Sequence, residues 1–145
     1  MSFPIYFENN LLKQDVNTYF ILNPHDIATD FCNLFYQEMH TNGYTGVINL
    51  FDSDAQCIYN DKKYVGFCNV IAQMASEGIV KTAYDNLNFS VLTLNVNQIH
   101  LTITGNIQGI YFTGYRTKIH NFVDIFVLTL KNNNLFVSNY LNKLF

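Results

Sequence analysis

The hydrophobic pattern predicts a long helix near the start of the chain. Apolar residues recur at helical spacing between Asn23 and Asn42, at Ile27, Phe31, Leu34, Phe35 and Met39. Asn23 suits the cap and Pro24 the first turn, while Asn42-Gly43 is a typical stop signal. Because the apolar stripe is wide, we expect this helix to be well buried.

The middle of the chain predicts short elements joined by tight turns. In order, these are a short helix over about 45–51, a turn over 52–55, a strand over 56–59, a tight turn over 60–63, a returning strand at 64–65 and a helix over 67–76 that Gly78 ends.

From Val80 onward the period changes from about 3.6 residues to two, which is typical of strands. The predicted strands cover 89–96, 99–107, 119–131 and 135–141, with a loop over 109–118 and turns at 97–98 and 132–134. Helices therefore precede a long antiparallel meander, the pattern of an α+β fold.

The third of these strands is apolar on both faces. Phe122, Phe126 and Leu128 share one face, and Ile119, Val123, Ile125 and Val127 share the other. A sheet of this kind needs two covers, and the helices supply only one. Charged residues make up only 13% of the chain, against roughly 25% in an average soluble domain. Both observations predict a homodimer that forms through the sheet.

The length of 145 residues indicates one folded domain. We assign residues 23–145 to that domain and residues 1–22 to an N-terminal extension that packs on it, with a short strand at 18–22. The asparagine-, isoleucine- and aromatic-rich composition is typical of an A/T-rich genome, cellular or viral.

Charge and hydropathy exclude several classes of partner. The net charge is −3 and the eight basic residues are scattered, which argues against nucleic acid. No apolar run approaches 18 residues and no secretory signal opens the chain, so we expect no membrane association and a cytoplasmic or nuclear location. Three cysteines without CxxC spacing read as buried, reduced thiols.

No motif for a cofactor or metal is present. The four histidines lack metal-ligand spacing, the seven glycines form no phosphate loop, and no Gly-x-Ser-x-Gly elbow occurs. We therefore expect no cofactor. Tyr111, Phe112 and Tyr115, in an otherwise polar loop, are instead a candidate partner surface.

Three short motifs, in their order along the chain, resemble the nuclear transport factor 2 family. They are the aromatic pair Phe35-Tyr36, the strand from Ile119 to Leu128 with phenylalanines four apart, and the closing run Val137 to Asn139. The resemblance covers about residues 26–145. It implies a cone-like fold, with N-terminal helices packed on a strongly curved and mostly antiparallel sheet, that dimerises through the open face of that sheet.

Two binding functions follow from this resemblance. The transport factors carry Ran through an acidic loop, but the matching residues 109–118 contain no carboxylate, so Ran binding is not expected. The related stress-granule scaffolds hold Phe-Gly-type peptides in an apolar groove, whose lining falls at Ile27, Phe31, Leu50 and Leu135. The alternative for these four residues is simple core packing.

The enzymatic branch of the family implies a cone pocket. Its residues fall at Tyr59, Tyr64, Phe122, Asp124 and Phe126. Asp124 matches the protonated aspartic acid of the ketosteroid isomerases and is the weak catalytic candidate. The position of the isomerase base holds Tyr59, and a carboxyl group without its base does not abstract a proton.

Three hypotheses follow. The first is a non-enzymatic homodimer that binds protein or peptide partners; the second is an enzyme or ligand carrier that uses the cone with Asp124. The third is a structural dimer in which residues 1–22 fill the groove of the same or a neighbouring subunit. The volume of the cone pocket separates the first two, because catalysis needs an open cavity of several hundred Å³.

Overall fold

The computed structural model of the chain describes residues 3–4, by their backbone alone, and residues 23–145. The elements are β1 (Phe3–Pro4), α1 (Pro24–Thr41), two 3-10 turns (Gly43–Gly46 and Ile48–Leu50), β2 (Phe51–Tyr59), β3 (Lys62–Val65), α2 (Phe67–Ser76), β4 (Ile79–Asn95), β5 (Gln98–Tyr111), β6 (His120–Lys131) and β7 (Asn134–Leu144). No helix in this described part has the length and apolar character needed to cross a membrane.

The strands form one curled sheet in the order β3-β2-β7-β6-β5-β4, and β1 pairs with β7 outside that path. Every pairing is antiparallel except that of β2 with β7. Register shifts with extra residues in β2, β4 and β7 bend the sheet, as β-bulges do. The two helices pack on this sheet, which confirms the predicted α+β cone.

Helix α1 follows its predicted bounds closely. The Asn23 carbonyl accepts a hydrogen bond from the Ile27 amide (3.1 Å), and the Asn42 amide donates to the Glu38 carbonyl (2.8 Å). Gly43 then turns the chain with φ +71, where a Cβ would lie 2.4 Å from the Val80 carbonyl oxygen. Glycine is therefore required at the end of this helix, both by the positive φ and by the close backbone.

Two predictions for the following segment were wrong. The helix expected over 45–51 is a pair of 3-10 turns, and the turn expected over 52–55 belongs to strand β2. Asp52, Ser53 and Asp54 favour turns by propensity, but here they lie where β2 shifts register against β7, between Phe51 and Gln56. Such a bulge accommodates polar, turn-forming residues within a strand.

The long β4–β5 hairpin also exceeds its prediction. β4 begins at Ile79 rather than Phe89, and β5 continues through Tyr111 into the segment expected to be a loop. A register shift between Asp85 and Asn88, with Asn86 at φ 54, interrupts the alternation of apolar and polar residues. Because of this interruption, the first half of β4 does not continue the alternation of the second half, and the sequence pattern did not predict it as a strand.

The core lies between α1 and the inner face of the sheet. Aromatic rings dominate it, with Phe31, Phe35 and Phe126 in mutual contact at centroid distances of 5.0–5.7 Å. Cys32 and Cys57 are buried as expected, but Cys68 on α2 is exposed, so the expectation of three buried thiols was wrong for that residue.

The expected packing of residues 1–22 and the strand at 18–22 lie outside the described residues. Within that segment, Phe3 and Pro4 pair with Leu135 and Asn134 of β7. Strand β2 begins pairing with β7 only at Phe51, opposite Val137. β1 therefore covers a stretch of the β7 edge that β2 does not reach. The division into an extension and a domain stays a prediction.

Candidate functional site

The interior of the cone holds one buried carboxyl group, that of Asp124 on β6. Its residue is only 1% exposed. Oδ2 accepts a hydrogen bond from the Tyr36 hydroxyl at 2.7 Å, and Oδ1 accepts one from Asn142 Nδ2 at 2.7 Å. A longer contact of 3.4 Å joins Oδ1 to the Tyr140 hydroxyl. We call Asp124 and these three donors the carboxylate cluster.

The register of the sheet builds this cluster. In the pairing of β6 with β7, Asp124 lies opposite Asn142 and Phe126 lies opposite Tyr140. Alternation along each strand turns all four side chains toward the helices. Tyr36 reaches the same carboxyl group from the buried stripe of α1.

Burial and hydrogen bonding act in opposite directions on Asp124. Desolvation raises the pKa of Asp124 from 3.8 to about 6, while the bonds from Tyr36, Asn142 and Tyr140 oppose that rise. Burial, with the nearby Asp124 charge, also raises the pKa of Tyr36 and Tyr140 well above the usual tyrosine range. At neutral pH the cluster is therefore an ionised carboxylate held by three neutral donors.

Aromatic rings fill the space around the carboxylate cluster. Tyr36 contacts the ring of Tyr84 at a centroid distance of 4.6 Å, and Tyr84 contacts Phe122 at 5.5 Å. Phe126 contacts Tyr140 at 5.2 Å. Asp124 itself lines neither of the two neighbouring cavities. Tyr36 and Tyr84 line one of about 720 Å³, and Tyr84, Tyr140 and Asn142 line a smaller one of about 120 Å³.

A small cavity lies at the mouth of the cone, and we call it the mouth cavity. Its volume is about 120 Å³, and its polar lining includes Tyr59, Glu77, Thr82, Tyr84, His120, Tyr140 and Asn142. Glu77 accepts a hydrogen bond from the Tyr59 hydroxyl at 3.0 Å. Thr82 Oγ1 is buried without a well-formed hydrogen bond in the described part. It lies close to the Tyr84 hydroxyl and lowers the pKa of Tyr84, whereas burial raises that pKa.

The structure separates the five residues of the expected cone pocket into two environments. Phe122, Asp124 and Phe126 lie together in the closed interior, where each is at most 2% exposed. Tyr59 instead lines the mouth cavity. Tyr64 lies half-buried on β3, opposite Cys57.

The four residues of the expected peptide groove are all in the core. Ile27, Phe31, Leu50 and Leu135 are 1–2% exposed. These four side chains are closed to solvent, and β1 pairs with the backbone at Leu135. A peptide that used these side chains would have to displace whatever covers them, and the groove stays a prediction.

The loop between β5 and β6, residues 112–119, carries the most exposed aromatic side chains. Phe112 is 80% exposed and Tyr115 is 78% exposed. Tyr111, the third residue predicted here, lies half-buried at the end of β5, with its ring next to Gly78. We call residues 112–119 the aromatic loop; its role as a partner surface stays a prediction.

No family model and no curated protein sequence matches the chain. Solved structures do. Nuclear transport factor 2 from Cryptosporidium parvum superposes with a TM-score of 0.68 over 83% of this chain and 94% of its own, at 17% identity. The chain has the nuclear transport factor 2-like fold.

Other proteins of this fold have different activities. The hexachlorocyclohexane dehydrochlorinase LinA-type3 from Novosphingobium barchaimii superposes with a TM-score of 0.68 over 90% of each chain, at 9% identity. The yeast UBP3-associated protein BRE5 gives 0.59 over 85% of this chain and 97% of its own, at 18% identity. The nuclear transport factor 2-like fold thus includes a transport factor and an enzyme, and at these identities the likeness concerns the fold alone.

Within this nuclear transport factor 2-like cone, the sequence had identified Asp124 but not its donors. The sequence indicates Tyr36 only as part of the aromatic pair Phe35-Tyr36, and it does not assign Tyr140 and Asn142 to the site. Alternation along β7 could have indicated both residues, because Tyr140 and Asn142 are two positions apart and lie on the inner face of that strand. In the described part of the cone, no three His, Cys, Asp or Glu side chains lie together as metal ligands would.

Proposed function

We propose that the chain is a non-enzymatic, homodimeric nuclear transport factor 2-like module that binds protein or Phe-Gly-type peptide partners in the cytoplasm or nucleus. The observation that carries this proposal is the closed carboxylate cluster. Asp124 is buried, is bound by three donors and is walled by rings. Asp124 lines neither of the neighbouring cavities, so we infer that the cone interior around this carboxylate serves as a core.

The outer face of the sheet supports the homodimer. Val123, Ile125 and Val127 of β6 are partly exposed there. Ile125 lies opposite Leu141 of β7, which lies opposite Ile58 of β2. This row of apolar side chains crosses three strands, and a second copy of the sheet is its natural cover.

The edge of β7 supports peptide binding. An extended peptide can add a strand to an exposed sheet edge, with its backbone supplying affinity and its side chains specificity. In this chain β1 occupies that edge beside Leu135, one of the four predicted groove residues. We propose that a Phe-Gly-type peptide pairs with the same edge when β1 leaves it.

The test measures assembly and peptide binding on the full chain and on a variant that lacks residues 1–22. Sedimentation equilibrium should give a dimer for both proteins. A labelled Phe-Gly-Asp-Phe peptide should bind the truncated variant more tightly than the full chain, and a Ser-Gly-Asp-Ser peptide should bind neither. A folded monomer would contradict the dimer, and the absence of binding to both proteins at high micromolar concentration would contradict the peptide function.

The mouth cavity supports a second candidate, a carrier of small ligands. Its volume of about 120 Å³ is near that of an engineered apolar cavity that holds benzene, and Thr82 offers it a hydroxyl with no well-formed hydrogen bond. The test is a fragment screen by ligand-observed NMR. Binding that is lost in Thr82→Val but kept in Thr93→Val, a control elsewhere on β4, would support the carrier; equal binding to both variants would contradict it.

A further inference from the structure

The aromatic loop is a firmly held structure and not a loose connection. The Tyr111 amide donates to the Tyr115 carbonyl at 2.8 Å, and the Gly114 amide donates to the Tyr111 carbonyl at 2.9 Å. Further along, the Thr117 amide donates to the Gly109 carbonyl, and the Gly109 amide donates to Thr117 Oγ1, both at 2.9 Å. These bonds continue the β5 hairpin into the loop and fix its backbone.

This fixed backbone presents large apolar side chains to solvent. Phe112, Tyr115 and Ile119 are 80%, 78% and 65% exposed. Gly114 at the tip has φ +90, and a Cβ added there would meet no atom within 4 Å. Because hydrogen bonds already hold this backbone, binding through these aromatic side chains would order their rotamers but not the loop, which favours them as anchor residues.

The loop also has a distinct charge. Arg116 and Lys118 are exposed, and no Asp or Glu occurs between residues 86 and 123. Neither cation takes part in the ion pairs of the described residues, which join Lys131 to Asp52 and Lys143 to Asp61. The loop itself therefore carries two cations and no acid on a chain whose net charge is −3, and the carboxylate that shares a cavity with Arg116 is that of Asp85 on β4.

The carboxylate on the neighbouring side of the loop is already engaged. Glu77 precedes Gly78, the residue beside the Tyr111 ring. It accepts hydrogen bonds from Tyr59, Asn60 and Gln73 at 3.0–3.3 Å. Lys81 of β4, opposite Ile110, adds a third cation close to the loop.

We propose that the aromatic loop docks onto an acidic protein segment, with Phe112 and Tyr115 as apolar anchors and with Arg116 and Lys118 facing carboxylates of the partner. This inference rests on the proposed binding function and names a second surface for it. Charge complementarity selects the partner, because apolar anchors beside unpaired cations match an apolar site that is flanked by acids.

An anionic membrane fits the same loop less well. Surfaces that bind acidic lipid through charge typically carry about four to eight clustered basic residues. The aromatic loop has two, and the chain as a whole is acidic. The protein partner is therefore favoured.

The test is selection from a displayed library of random 12-residue peptides on the full-length protein. Selected clones are sorted by loss of binding to the double variant F112S/Y115S. We expect the loop-dependent clones to be enriched in Asp, Glu and apolar residues. For a synthetic peptide from that set, R116Q/K118Q should raise the Kd about tenfold or more and reduce its dependence on salt.

Matched variants away from the loop are the controls. Val96→Ser removes a side chain that is 66% exposed at the opposite end of the β4–β5 hairpin, and K62Q/K63Q removes two exposed cations from β3. Both variants should leave the Kd unchanged.

Three outcomes would overturn the proposal. They are the absence of loop-dependent clones, loop-dependent clones without an excess of acids, and loop-dependent binding to phosphatidylserine vesicles in place of peptides. Clones that bind regardless of the loop would support the general binding function while rejecting this surface, so the two failures are distinguishable.

Discussion

The two faces of β6 differ in composition and in what they contact. The inner face carries Phe122, Asp124 and Phe126, all at most 2% exposed, with each polar atom of Asp124 bonded. The outer face carries Val123, Ile125 and Val127, which remain partly open to solvent. The inner face is covered by the same chain, whereas the outer face leaves these aliphatic side chains partly open to solvent. A buried carboxyl group can thus be held entirely by its own chain, and the partly exposed aliphatic residues of the other face are the proposed site of interaction.

The largest expected effect comes from the inner face. Phe126→Ala removes a ring that contacts Phe31, Phe35 and Tyr140, and it should lower the free energy of unfolding by about 3–5 kcal/mol. Ile125→Ala, one residue away on the outer face, should cost clearly less at concentrations where the protein is monomeric. Urea denaturation of both variants measures this, and equal losses would contradict the contrast between the faces.

The next effect is the pH dependence contributed by Asp124. Because folding raises the pKa of Asp124 from 3.8 to about 6, its contribution to stability is fully present below pH 3.8 and is lost as the pH rises through 6. A shift of about two units corresponds to about 3 kcal/mol. The difference in unfolding free energy between wild type and Asp124→Asn should change by about that amount between pH 3.5 and pH 7.5, measured by urea denaturation. A constant difference would contradict a raised pKa.

A smaller effect is expected from the donors of the carboxylate cluster. Tyr36→Phe removes the 2.7 Å bond and should cost about 1–3 kcal/mol at pH 7.5, with less cost at pH 4.5, where Asp124 is protonated. The same change should raise the pKa of Asp124, since that bond lowers it. Tyr140→Phe loses only a 3.4 Å contact and serves as the matched control with a smaller cost. If the two variants lose the same stability at both pH values, an ionised Asp124 carboxylate is not the acceptor of a strong bond from Tyr36.

The smallest effect on the folding of one protomer should come from Ile125→Asp. This change places a charge in the apolar row on the outer face, where two copies are proposed to meet, and it should convert the dimer to a folded monomer. Sedimentation equilibrium measures the assembly, and circular dichroism checks the fold. The control is Ser90→Asp on β4, which should remain dimeric. Ser90 pairs with Thr102, and Thr102 pairs with Ile125, so the two substituted positions lie in one row across the sheet. A dimer that persists in Ile125→Asp would place the interface elsewhere.

The sequence predicted the architecture because local signals agreed with the tertiary structure. Pro24 and Gly43 bounded α1, the paired residues Asn60-Asp61 and Asn132-Asn133 adopt the positive φ values of tight turns, and period-two alternation marked the meander. Prediction failed at the register shifts, where extra residues in one strand break the period. Asp52 to Asp54 and the first half of β4 were misassigned for that reason.

The site was less predictable than the fold because it depends on contacts between distant segments. Asp124 stood out as an acid between phenylalanines, but Tyr36 lies 88 residues away along the chain and Asn142 lies 18 away. Whether the four groove residues line an open groove or the core could not be read from apolar character, which both arrangements share. Exposure of Phe112 and Tyr115 was easier to anticipate, since polar residues surround them in the sequence.

Titration of the Asp124 carboxyl group distinguishes a closed structural carboxylate from an open site. It is followed by the ¹³C chemical shift of that group in the full chain, with and without added phenols. A closed structural carboxylate predicts a single titration near pH 6, ionisation at pH 7.5 and no change when phenols are added. A carboxyl group that stays protonated at pH 7.5, and whose shift moves as phenols bind, would be a proton donor in an open site. That result would contradict the binding-module assignment and favour an enzyme.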